Sequence, residues 1–121
     1  MKRLLYSLRC AGEGIGYAVR TQANLRIHLT LTGLVLMAGL WLQLAPIEWA
    51  ILVVLIAVVL SAELFNTALE ATLDRVSSEE HPLAKIGKDV AAGAVLICAL
   101  GAVLVGLLIF GPHLLALIAR G

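Results

Sequence analysis

This chain predicts an all-α integral membrane fold, with three transmembrane helices preceded by an amphipathic surface helix. Three observations predict it. The 121 residues are 61% hydrophobic and only 14% charged, with a mean hydropathy of +1.01. A soluble domain carries about 25% charged residues. Three apolar runs, 29–45, 49–62 and 90–110, are each long enough to cross a bilayer once flanking turns are added, since a helical span takes roughly 17–25 residues. The third run has no charge and lacks the polar face that a helix in a soluble bundle presents about every 3.6 residues. The length fits one domain, 1–121. A basic tract is absent and aromatics for base stacking are few, so no nucleic-acid partner is expected.

The first element lies in MKRLLYSLRCAGEGIGYAVRTQANLRIH. Leu4, Leu8, Ala11, Ile15 and Val19 fall along one helical stripe, while Lys2, Arg3, Arg9, Glu13 and Arg20 lie mainly elsewhere. That pattern predicts a helix over about 3–24 lying on the membrane surface. It does not fit a secretory signal, because the apolar run begins only after residue 28.

The spans follow at 28–46, 49–70 and 90–111. With these bounds, Lys2, Arg3, Arg9, Arg20, Arg26, Arg75, Lys85 and Lys88 fall on one side, which is eight of the nine basic residues. The excess predicts a cytoplasmic N-terminus and a cytoplasmic 75–89 loop. The Ala45–Glu48 turn and the C-terminus, with Arg120, then face outward. Cys10 on the surface helix and Cys98 in mid-span predict no disulfide. Ala94, Cys98, Ala102 and Gly106 recur four apart on the third span, a small-residue face that suits close helix packing.

The second span holds the chemistry. In ILVVLIAVVLSAELFNTALEATLDR, an aliphatic run leads into Glu63, Asn66, Glu70 and Asp74. At 100° per residue, Glu70 and Asp74 lie about 20° either side of Glu63 and Asn66 roughly 60° away, so the four form one stripe. Counted from Trp49, Glu63 is about 21 Å along the span, Glu70 about 31 Å and Asp74 about 37 Å. Glu63 is therefore expected inside the cytoplasmic leaflet, Glu70 at the water boundary and Asp74 beyond it. A carboxylate within a span is costly to hold there and marks a functional site. Removal from water also makes a carboxylate a stronger base. A structural hydrogen bond to Ser or Thr of a neighbouring helix is the competing account of Glu63, and a solvated helix end that of Glu70 and Asp74.

The loop SSEEHPLAKIGKD adds Glu79, Glu80, His81, Lys85, Lys88 and Asp89 at the same boundary. Carboxylates and lysines meeting there suit a divalent cation and a polyphosphate. Lys85 also fits a lysine that simply snorkels to the interface. No GxxxxGK[ST] loop is present.

ELFNTALEATLDR followed by EEHPLAKIGKDVAAGAVL, with RTQANLRIHL upstream, resembles the small prokaryotic integral-membrane lipid kinases, the diacylglycerol kinase and undecaprenol kinase family. The resemblance runs from Arg3 to Phe110. It implies a homotrimer in the cytoplasmic membrane of a prokaryote that transfers the γ-phosphate of Mg·ATP to a membrane lipid alcohol, at sites shared between neighbouring protomers. Carried over by position, it makes Glu63 the general base and Glu70 a metal ligand, with Gln22 at the second metal position. Nucleotide-contacting positions fall on Arg3, Cys10, Gln22, Glu70, Glu79, Glu80, His81, Lys88 and Asp89. Positions that bind or orient lipid fall on Asn24, Arg26, Trp49, Glu63, Asn66, Asp74 and Ala92.

Two departures bear on the site. Gln22 replaces what is usually a glutamate, and Cys10 replaces a common aromatic. NLRIH and HPLAKIGKDVAAGAVL look more like the undecaprenol branch than the diacylglycerol branch. A diacylglycerol kinase stays open as an alternative, as does an oligomeric membrane protein without catalysis. An ion pathway is disfavoured because Trp49 to Ala62 contains no ionisable residue.

Overall fold

The computed structural model describes residues 1–77 and 81–121. Four helices follow one another: α1 (Lys2–Thr21), α2 (Ala23–Leu42), α3 (Pro46–Val76) and α4 (Pro82–Arg120). The last three are long and apolar enough to cross a membrane.

Helix α1 is stapled along its length by an Arg9–Glu13 ion pair of 2.8 Å and by the Ser7 hydroxyl donating to the Arg3 carbonyl. Only its C-terminal end is held by the rest of the chain. Ala18 is buried there, while Leu4, Leu8 and Ile15 of the predicted stripe are exposed. Gln22 then takes an extended conformation, φ −112° and ψ 107°, and breaks α1 from α2. Arg26 Nη1 donates to the carbonyls of Val19 and Arg20 at 2.9 and 3.0 Å. A cation on the last carbonyls of a helix satisfies groups that have no partner within it and opposes the helix dipole. Arg26 thus fixes the α1–α2 corner.

The α2–α3 turn is tight. Gln43 closes α2 in the left-handed region, φ 56° and ψ 59°, and Leu44 N–H donates to Gly39 O at 3.3 Å. Pro46 opens α3 at a position where a missing N–H costs nothing. Glu48 reaches back to accept from Ala45 N–H at 3.0 Å, satisfying one of the free donors of the helix start. Trp49 lies over Gly39, where an added Cβ would come within 2.8 Å of the ring. Glycine is what lets the two helices meet. Below this turn Leu44, Leu52 and Ile109 form a buried cluster, with Val35, Trp49, Ile56, Val105 and Phe110 packed on it.

The structure differs from the expected spans at the ends. The segment 75–89, expected as a loop, is mostly helix. Helix α3 runs on to Val76, and α4 begins at Pro82, with His81 Nδ1 accepting from Leu83 N–H at 3.2 Å as its cap. At 1.5 Å per residue, α3 and α4 measure about 46 and 58 Å, against a hydrocarbon core of about 30 Å. Hydropathy marks where the bilayer ends, but the backbone ladder continues past it.

Candidate active site

The stripe on α3 begins with Glu63, which is only 2% exposed. Its Oε1 lies 3.2 Å from Nε2 of His28 on α2. Among the described residues, no hydrogen bond engages its other oxygen, Oε2. One turn on, Thr67 is buried and donates to the Glu63 carbonyl at 2.9 Å. That bond commits the threonine hydroxyl to the backbone, and the side chain that meets the Glu63 carboxylate is a histidine.

Asn66 and Glu70 follow on the same face. Asn66 Nδ2 donates to Glu70 Oε1 at 3.4 Å, a long and weak contact. Asn66 Oδ1 is buried, with no hydrogen-bond partner among the described residues. Buried polar atoms are seldom left so, because an unmade bond costs about 1–3 kcal/mol. An orphaned amide oxygen beside a carboxylate is a hard oxygen donor set, and it suits Mg²⁺. No group of three or more His, Cys, Asp or Glu side chains gathers among the described residues. A cation held by one carboxylate therefore needs phosphate oxygens to complete its shell.

Beyond Glu70 the two long helices are tied together where they leave the apolar region. Asp74 of α3 pairs with Lys88 of α4, and Lys85 pairs with Asp89 at 2.6 Å on α4 itself. Lys88 thus reaches across from α4 to α3. Gly87 lies against Leu73 at this level, with room for an added Cβ only at 3.1 Å from the leucine. His81 is exposed at the α4 cap. Glu79 and Glu80 lie outside the described residues.

The remaining sequence-predicted positions are scattered in one protomer. Arg3 and Cys10 are exposed on α1, and Arg3 is about 22 Å of helix from the anchoring Ala18. Gln22 donates to Thr21 Oγ1 at 3.5 Å; among the described residues no hydrogen bond joins it to Glu70. Asn24 and Ala92 are exposed, at the starts of α2 and of the apolar part of α4. Trp49 is at the opposite end of α3 from the acids and packs in the outer cluster.

A cavity of about 310 Å³ opens at His28 and runs between α2, α3 and α4 past Val59 and Ala102 to Leu52 and Phe110. Along α3 this is about 10 Å. Apart from His28 and Thr32 its walls are apolar. His28, the partner of Glu63, lines this cleft, and its apolar walls suit a hydrocarbon chain.

His28 had no role assigned from sequence. The signal existed: it lies eighteen residues before Pro46, and Glu63 lies eighteen after Ala45. Two antiparallel helices joined by a tight turn bring equidistant residues to one level.

Residues 9–110 match the family described as prokaryotic diacylglycerol kinase. An undecaprenol kinase of Bacillus subtilis is 43% identical over 94% of this chain and 93% of its own length. A diacylglycerol kinase of Synechocystis is 48% identical over 94% of this chain but 66% of its own length. The Escherichia coli diacylglycerol kinase is 28% identical over 92% of this chain and 91% of its own.

Proposed function

The chain belongs to the prokaryotic diacylglycerol kinase family and is a multi-pass membrane lipid kinase, and from that premise we propose that it phosphorylates undecaprenol with Mg·ATP. The observation that carries the reading is Glu63, a buried carboxylate whose partner His28 lines an apolar cavity. The lipid hydroxyl gives its proton to Glu63 as its oxygen bonds the γ-phosphorus. The bond to the β–γ bridging oxygen breaks, and ADP leaves. Such a transfer depends mainly on alignment and on neutralising phosphate charge.

The protein's own residues divide the work by depth. Glu63 is the base on the lipid side, with Trp49, Asn24, Arg26 and Ala92 bordering or shaping the path of the lipid. Glu70, the orphaned oxygen of Asn66 and Gln22 are the ligands offered to Mg²⁺, which when bound offsets phosphate charge. Asp74 positions Lys88, and Lys88 with His81, Asp89, Glu79 and Glu80 receives the nucleotide. Arg3 and Cys10 join them in a homotrimer, where α1 of one protomer borders the site of the next. In that arrangement α1 lies on the cytoplasmic surface, and the N-terminus and the α3–α4 turn are cytoplasmic. The lysine and arginine distribution supports this orientation.

Undecaprenol is favoured because the Bacillus subtilis relative matches along nearly its whole length. The higher identity to the Synechocystis protein favours a second reading, diacylglycerol. The two are separated by phosphorylation of undecaprenol and diacylglycerol by the purified protein in one detergent. A higher kcat/KM for undecaprenol is expected, and a clear preference for diacylglycerol would reverse the assignment.

A further inference from the structure

Among the described residues Glu63 meets a single side-chain partner, and that partner belongs to a different helix. His28 projects from α2, its side chain 20% exposed, with Nε2 at 3.2 Å from Oε1 of a carboxylate that is itself 3% exposed. The same ring lines the head of the apolar cavity. We propose that His28 is a positioning residue for the phosphoryl transfer: it holds Oε1 of Glu63 and thereby turns Oε2 toward the lipid hydroxyl at the mouth of the cavity. The proposal rests on the reading of Glu63 as the base.

The physical case has three parts. A glutamate has three rotatable bonds, and a base must sit within hydrogen-bond reach of its proton to act. Glu63 is almost wholly buried, so a single polar partner weighs heavily in choosing its rotamer. His28 meets Glu63 through Nε2, at 3.2 Å from Oε1, and its Nδ1 stays outside the pair. Oε1 is then occupied and Oε2 remains the oxygen that takes the proton. The pair therefore fixes both where the base points and which atom acts.

A merely structural pair on the same helix looks different. Glu48 contacts His113 Nε2 through both oxygens at 3.0 Å and also accepts from Ala45 N–H. Nothing is left over there to receive a substrate proton. At Glu63 one oxygen is.

The test uses the full-length protein in detergent with ATP and undecaprenol, and compares H28Q, H28N and H28L. The glutamine amide reaches about as far as Nε2, whereas the asparagine amide stops near the Nδ1 position. H28N and H28L should lower kcat about tenfold or more, as removal of an orienting partner does, with the KM for ATP unchanged. H28Q should recover most of the lost rate. Equal losses in H28Q and H28N would overturn the proposal, since the position of the donor would not matter and a packing defect would explain both. Wild-type kcat in H28L would overturn it as well. Failure of the underlying reading shows separately: an E63Q enzyme with wild-type rate removes Glu63 as the base, whatever His28 does.

Discussion

Helix α3 carries two glutamate–histidine pairs, Glu48–His113 toward its N-terminal end and Glu63–His28 seventeen residues from its start. The outer pair is closed. Both oxygens of Glu48 touch His113, one also caps the helix start, and the buried Leu44–Leu52–Ile109 cluster lies next to it. The inner pair is open. Glu63 has one oxygen on His28, and the next polar residue on the stripe, Asn66, keeps an orphaned buried oxygen. Similar groups therefore serve opposite ends. Where both carboxylate oxygens have partners inside the protein, the pair closes the bundle; where polar atoms are left without one in a buried site, the protein is built to receive something else.

The largest effect that tests this contrast is at Glu63. Glu63→Gln keeps the size and a hydrogen-bonding group for His28, but removes the proposed base. Lipid-dependent ATP turnover should fall at least about a hundredfold, with the unfolding midpoint in detergent nearly unchanged. A wild-type rate would make the inner pair structural, like the outer one.

The opposite result is expected at the outer end. Glu48→Ala leaves Ala45 N–H and His113 without their acceptor, more than 20 Å of helix from Glu63. The unfolding midpoint should fall by a few degrees while kcat stays within about twofold, as for substitutions away from a site. A loss of kcat comparable to that of Glu63→Gln would show that the two ends are coupled and would break the comparison.

What the sequence revealed and what it hid divide along the same line. Glu63, Asn66, Glu70 and Asp74 share one helix, so their alignment follows from the helical repeat alone. The three spans likewise follow from apolar composition. Every pair across helices was missed: His28 with Glu63, Asp74 with Lys88, Glu48 with His113. Those depend on where each turn falls to within a residue, and hydropathy fixes a span only to within a helical turn. The α2–α3 break was expected at Ala45–Glu48. It lies at Gln43–Ala45, because Gln43 adopts the left-handed cap and Pro46 already begins α3. The extensions of α3 and α4 beyond the membrane were hidden for a related reason. His81 and Pro82 are a helix start in a segment whose charge reads as loop.

The smallest expected effect sharpens the account of the open end. Gln22 sits at the extended joint between α1 and α2, half-buried, its amide donating to Thr21. It stands where the family resemblance places a second metal ligand, and an amide oxygen can serve as one but brings no charge. Mg²⁺ favours charged hard oxygens and fills its octahedron with water and phosphate. With Glu70 the carboxylate offered and Asn66 Oδ1 the orphaned oxygen beside it, the cation should arrive chiefly as Mg·ATP, and the free Mg²⁺ requirement should be high. Gln22→Glu adds one charge-assisted contact, so the Mg²⁺ giving half-maximal rate should fall by a few-fold to about tenfold. The rate at limiting Mg²⁺ should rise, while the unfolding midpoint without Mg²⁺ should stay nearly unchanged. Activity against free Mg²⁺ at saturating ATP, measured for both forms, decides it. Superimposable curves would mean that residue 22 does not face the metal, and the open end would then rest on Glu63, Asn66 and Glu70 alone.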